Sequence, residues 1–196
     1  MSATPLEVTR EELHFRRVDM RGYRRSDGLY EVTGQITDRK TNEFKSPNGP
    51  RVVPAGEAVH DMGVTLVYDT DMLVHEVHAF TNSAPYDECF DAGATLQVLK
   101  GLRMASGWSS EVRKRLGGAK SCTHLMDILA PMATTAYQTL TMVRAARPES
   151  LNAEGRPVKI DSCYAYAATR DLVKRKWPTF HIEPEASDGS GAATRP

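Results

Sequence analysis

The sequence is poor in several features that would place a protein in a specialised class. It has three cysteines and two tryptophans in 196 residues, and its 25 basic and 25 acidic residues cancel to a formal net charge of zero. An odd, small number of cysteines without an export signal argues for free thiols or metal ligands instead of a disulfide framework. A balanced charge gives no general argument for nucleic acid as a partner, so none is expected.

Long apolar runs are missing too. No stretch approaches the roughly 18 apolar residues that a membrane helix needs, and the N-terminal residues alternate charge too often for a secretory signal. We therefore expect a cytoplasmic protein with no membrane partner. The arginine-rich stretch 16–25 is interpreted as a solvated strand face in preference to an anion site.

The length and composition of the chain limit its possible domain organisation. A chain of this length with 40% hydrophobic residues suits one domain with a real core. We predict a single domain over residues 13–182, a flexible N-terminus over 1–12 and a disordered tail over 183–196, where serine, glycine and alanine dominate.

Two stretches alternate apolar and polar residues with a period of two. Residues 13–37, with a turn at 26–28, and residues 59–80, with a turn at 69–71, each predict an antiparallel hairpin. Apolar segments after residues 89, 108 and 122 predict helices. The expected fold is therefore α+β, with an antiparallel sheet of two hairpins covered on one face by helices.

Candidate chemistry lies where these elements begin. Cys122 and His124 stand at a predicted helix start, where the helix dipole lowers the pKa of a thiol. Cys89 stands at another helix start, and His60 with Asp61 opens the second hairpin. These junctions can converge on one sheet edge, and their sulfur, nitrogen and carboxylate donors suit zinc or iron. The alternative is that the cysteines are small buried hydrophobes and the histidines satisfied surface residues.

A metal pocket of His60, Asp61, Cys89, Cys122 and His124 implies two functions. An ion with an open position lowers the pKa of bound water, and Asp61 or a histidine such as His124 would move protons, which predicts a metal-dependent lyase or hydrolase acting on a small molecule. An ion with all positions filled would be structural or carried.

Two metal-free alternatives remain. Cys122 would be a nucleophile with His124 or His60 as its base, or the domain would be an interaction module without chemistry. The sequence does not choose the substrate or the oligomeric state, and a homo-oligomer stays open.

A family resemblance covers roughly residues 13–180. It rests on the segments 13–25, 60–62, 84–86, 107–108, 115–118, 122–125 and 131–136. In these segments the chain resembles the bacterial domain of unknown function 2889 family. Membership of that family implies no activity.

The order of the elements is also distantly similar to iron–sulfur cluster scaffold proteins of the IscU and SufU type. In this comparison His60-Asp61 falls where those proteins have Cys-Gly-Asp, Cys89 matches their second cysteine, and Cys122 with His124 falls at their last ligands. The resemblance implies an IscU/SufU-like fold and a scaffold or carrier function. The histidine in place of the first cysteine suits mononuclear zinc or iron better than a transferable cluster.

Overall fold

A computed structural model describes residues 8–184 of the chain. The predicted flexible N-terminus and disordered tail fall largely on residues 1–7 and 185–196, which lie outside the described residues. The chain divides into two compact units, one up to Arg144 and one from Ala145 onward. The single domain over 13–182 stays a prediction.

Between residues 8 and 144, six strands form two sheets. They are β1 (His14–Arg24), β2 (Tyr30–Lys40), β3 (Phe44–Lys45), β4 (Val52–Val53), β5 (Ala58–Tyr68) and β6 (Val74–Ser83). The main sheet is antiparallel with the order β1-β2-β5-β6, and β3 pairs with β4. The predicted four-stranded antiparallel sheet and the α+β class are thereby confirmed.

Among the described residues, four α-helices follow the sheet along the chain. They are α1 (Trp108–Leu116), α2 (Thr123–Thr139), α3 (Thr141–Ala145) and α4 (Asp171–Lys176), of which α4 lies in the second unit. Between residues 8 and 184, no helix is long and apolar enough to cross a membrane.

The segment after β6 differs from the single helix predicted there. It forms two short 3-10 helices, Asp87–Phe90 and Ala92–Leu99. Gly93 lets the second one approach the sheet, because a Cβ at this position would lie 3.0 Å from the Cβ of Ala79 on β6. Cys89 therefore stands in a tight 3-10 turn instead of the first turn of an α-helix.

Helix α2 packs across β2 and its neighbours β1 and β5. Its buried face consists of Leu125, Ile128, Leu129, Met132 and Ala136. Burial of each larger side chain among these contributes about 1.5–3 kcal/mol, so the helix is firmly anchored.

Two glycines set how closely α2 approaches the sheet. A Cβ on Gly34 would lie 2.8 Å from Met132, and one on Gly22 would overlap the side chain of Thr139. The hydroxyl of Tyr68 donates to the carbonyl oxygen of Ala136 at 3.2 Å, which fixes the same end of the helix. The first turn of α2 consequently lies over the opposite end of β2.

Candidate metal centre

Asp38 is a buried carboxylate near the end of β2. Its side chain is 2% exposed, and it continues the alternating series Val32, Gly34 and Ile36 on the face that α2 covers. The strand register places it opposite Arg16 on β1 and His60 on β5. A charged group buried this deeply requires partners.

Two histidines approach the same oxygen of this carboxylate. Oδ2 of Asp38 lies 3.1 Å from Nδ1 of His60 and 3.8 Å from Nε2 of His124. The two imidazole rings have centroids 3.9 Å apart. One ligand atom from each of the three residues lies within 4.8 Å of the others, and residues 8–184 contain no other such group of three or more His, Cys, Asp or Glu. One carboxylate and two imidazoles form a ligand set that suits zinc or non-haem iron.

Arg16 and His14 reach the carboxylate from β1. Arg16 donates from Nε to Oδ1 of Asp38 at 2.7 Å and from Nη2 to Oδ2 at 2.8 Å, which is a two-pronged guanidinium–carboxylate pair. Nε2 of His14 lies 3.3 Å from Oδ1. Burial alone would raise the pKa of Asp38, but the bonds from Arg16 and the nearby histidines outweigh it and the pKa falls below its usual value. The carboxylate is therefore ionised at neutral pH.

His60 is held in its neutral form. Burial, and then the proximity of His124, lower the pKa of His60 to about 4, although Asp38 acts in the opposite direction. A neutral imidazole has a nitrogen lone pair for a metal, whereas an imidazolium does not. His60 is thus ready to bind an ion at neutral pH.

Cys122 lies on the other side of the His124 ring. It is the residue that precedes α2, and its Sγ is 3.9 Å from Nδ1 of His124 and 3.8 Å from Sδ of Met62. Burial raises the pKa of the Cys122 thiol, but His124 and the backbone amides of the first helical turn lower it by more, so the net shift is downward. The thiol contacts His124. It is not one of the three groups around Asp38 whose ligand atoms lie within 4.8 Å of one another.

A cavity of about 610 Å³ adjoins these residues. His60, His124 and Cys122 line it, and Cys89 lines it as well. Burial raises the pKa of the Cys89 thiol, and the neighbouring Cys122 adds to that shift. The rest of the lining is Pro85, Tyr86, Glu88, Asp91, Ala92, Thr95, Ala119, Lys120, Ser121 and Thr123.

Asp61 lies away from this group. Its carboxylate accepts hydrogen bonds from Nε2 of Gln35 at 2.6 Å and from Nδ2 of Asn82 at 3.1 Å. Because successive side chains of a strand point to opposite faces, His60 and Asp61 cannot both face α2. Of the five predicted site residues, the structure brings His60 and His124 together, places Cys122 and Cys89 on the adjoining cavity, and places Asp61 on the other face of the sheet.

Sequence reasoning missed three residues of the site, namely Asp38, Arg16 and His14. The predicted first hairpin ended at residue 37, one position before Asp38, whereas β2 continues to Lys40. The available signal was the alternation of β2, which continues unbroken from Ile36 to Asp38 on the α2 face. A carboxylate at the next inward position of a strand requires a cationic partner.

The fold and this site define a small α+β protein with a candidate Asp/His/His metal centre. Within that class the chain belongs to the family described as protein of unknown function (DUF2889), whose family model matches residues 14–138. The match spans the main sheet and nearly all of α2 and includes all three residues of the candidate centre. Comparisons with curated proteins and with solved structures gave no match.

Proposed function

We propose that the protein binds one metal ion, zinc or iron(II), through Asp38, His60 and His124. The observation that carries this proposal is the approach of one ligand atom from each residue to within 4.8 Å of the others. The ionised state of Asp38 and the neutral state of His60 add support. One carboxylate and two imidazoles also suit a single ion better than an iron–sulfur cluster, which is held mainly by thiolates.

The ion would act on a small molecule in the cavity. His60 and His124 line the cavity, and an ion held by only three protein ligands would have a further coordination position for water or a substrate. An ion in this setting supplies Lewis-acid chemistry, which is the basis of a metal-dependent lyase or hydrolase. Of the two residues predicted to move protons, Asp61 does not line the cavity, and His124, as a proposed ligand of the ion, would have no free lone pair for that role. The proposed setting is the cytoplasm.

Metal analysis tests this function directly. Protein purified without an affinity tag is expected to bind about one equivalent of Zn²⁺ or Fe²⁺, and the variants Asp38→Asn and His124→Gln to lose it. His78→Gln is a matched control, because His78 is an exposed histidine that pairs with Glu76 on β6. Less than about 0.2 equivalents in the wild-type protein, or equal binding by wild type and both site variants, would overturn the proposal.

A cysteine nucleophile is the second candidate function. A thiol, an imidazole and a carboxylate follow one another, with 3.9 Å from Cys122 Sγ to His124 Nδ1 and 3.8 Å from His124 Nε2 to Asp38 Oδ2. In this arrangement His124 would take the proton of the thiol and Asp38 would stabilise the resulting imidazolium. The alkylation rate of metal-free protein, followed against pH, distinguishes this candidate. The midpoint for Cys122 should move to higher pH in His124→Gln, and an unchanged midpoint would exclude His124 as the base.

A further inference from the structure

The pairing of Arg16 with Asp38 points to the kind of molecule that the ion would take. We propose that Arg16 cancels the charge of Asp38, so that the ion at this centre takes a small anion, such as a carboxylate, at its open position. This inference rests on the proposed metal site and names the class of its ligand.

The cancellation is a consequence of geometry. Both prongs of the Arg16 guanidinium bond to Asp38, at 2.7 and 2.8 Å, and the carboxylate is 2% exposed. The Arg16 side chain is 40% exposed, so water reaches the pair from one side only, and the attraction is stronger than between two exposed groups. The pair contributes almost no net charge to the ion.

The other two ligands bring no charge. Neutral imidazoles are the forms of His60 and His124 that bind a metal. A divalent ion held by this set would therefore retain nearly its full positive charge. An anion in the fourth position would supply the missing negative charge, and the cavity gives it access, since both histidines line that cavity. Its volume of about 610 Å³ is within the usual range for small-molecule sites.

The remaining charged residues near the site lie at the solvent-exposed surface. Glu88, Asp91 and Lys120 are exposed residues of the cavity lining, and Lys120 donates to the carbonyl oxygen of Lys114. Asp127, 3.9 Å from Nη1 of Arg16, is 64% exposed. Water and salt screen exposed charges strongly, so these groups alter the charge balance at the ion less than the buried pair does.

The test uses Co²⁺ as a spectroscopic substitute for the native ion and acetate as the anion. Wild-type protein loaded with Co²⁺ is titrated with acetate and, separately, with azide, while the visible spectrum reports a change of ligand. Both anions are expected to change the spectrum at about 1 mM or below. A loaded wild-type protein whose spectrum neither anion changes would overturn this inference while leaving the metal site intact. A wild-type protein that binds no Co²⁺ would overturn both.

Two variants separate the charge of Arg16 from its shape. Arg16→Lys keeps the charge and loses the two-pronged geometry, so anion binding should stay within about threefold of wild type. Arg16→Gln loses the charge, so anion binding should weaken at least about tenfold while Co²⁺ binds at least as tightly as before, because the carboxylate is then uncompensated. An arginine with a merely structural role would weaken the binding of both ions in Arg16→Gln, and that result would overturn the proposal.

The matched control is Arg17→Gln. Arg17 is the next residue of β1, points to the other face of the sheet and pairs with exposed Asp19. The Arg17→Gln variant should bind Co²⁺ and both anions as tightly as the wild-type protein does. The wild-type titration needs no substitution, so it tests anion binding at the ion even where Arg16→Gln does not fold.

Discussion

The imidazole rings of His60 and His124 lie one over the other, with 3.9 Å between their centroids and 32° between their planes. One ring comes from near the start of the inner strand β5 and the other from the first turn of α2. Two imidazolium ions at this distance would repel each other strongly. An ion held by one nitrogen of each ring requires both imidazoles to be neutral, because an imidazolium has no lone pair for a metal.

Mild acid should destabilise the metal-free protein through His60. The folded-state pKa of about 4 lies below the ordinary value of 6.5, so between these pH values the unfolded chain binds the proton and the folded protein does not. Stability is full above about pH 6.5 and falls as the pH drops towards about 4, by up to roughly 3 kcal/mol. Urea unfolding across this range measures the effect. His60→Gln should flatten the profile, and a variant as pH-dependent as the wild type would refute the assignment to His60.

Asp38→Asn should destabilise the protein. It leaves the Arg16 guanidinium without its anionic partner, and because the Arg16 side chain is 40% exposed, the cost should lie below the value of about 3–5 kcal/mol for a fully buried pair. Asp19→Asn is the comparison, since Asp19 pairs with Arg17 while 39% exposed, and such surface pairs contribute about 0–1 kcal/mol. Chemical unfolding of both variants should show this difference. Equal effects would mean that Asp38 and Arg16 are not a buried pair in solution.

Gly34→Ala should both destabilise the protein and weaken metal binding. The added Cβ would lie 2.8 Å from Met132, and overpacking of this kind costs about 1–3 kcal/mol. Relief of the clash requires the buried Met132 side chain to rearrange or α2 to move, and α2 carries His124. In a Met132→Ala background the same substitution should cost less, because the two positions are in contact. Additive effects on the free energy of unfolding would show that α2 does not pack at this distance.

The three thiols should differ in reactivity in metal-free protein. The pKa of Cys122 is lowered and that of Cys89 is raised by their surroundings, so Cys122 should be alkylated faster than Cys89 around neutral pH. Cys163 is exposed and serves as the internal reference for an accessible thiol. Peptide mass spectrometry after timed treatment with iodoacetamide gives the order. Faster labelling of Cys89 than of Cys122 would contradict the described environments.

The elements of the fold that depend on local pattern were predictable. The alternation in 13–37 and 59–80 predicts both hairpins, and the helix start after Cys122 is where the apolar spacing of α2 places it. The strand period also separates Asp61 from His60, because neighbours on a strand face opposite sides of the sheet.

The alternation of β2 indicates that Asp38 faces α2, but the partners of Asp38 are not evident from its neighbours in sequence. It acquires its role from Arg16 and His60, which the register places on either side of it, and from His124 on a helix far along the chain. Strand register and helix placement depend on tertiary contacts. One such contact, between Gly34 and Met132, lies at some distance from the site. A sequence pattern shows which face a residue occupies, but not which residues stand opposite.

The position of β1 at the edge of the sheet has a dynamic consequence. Among residues 8–184, β1 pairs only with β2, while Asp38 and His60 lie on the inner strands β2 and β5. Edge strands open more readily than central ones, and local opening withdraws their side chains without unfolding the rest. Fraying of β1 would detach the guanidinium and leave the carboxylate and both imidazoles in place. With Arg16 bound, Asp38 and the two imidazoles form a neutral set of ligands, and without Arg16 they form an anionic one. Amide hydrogen exchange along β1 would therefore report how often the centre changes between these two states.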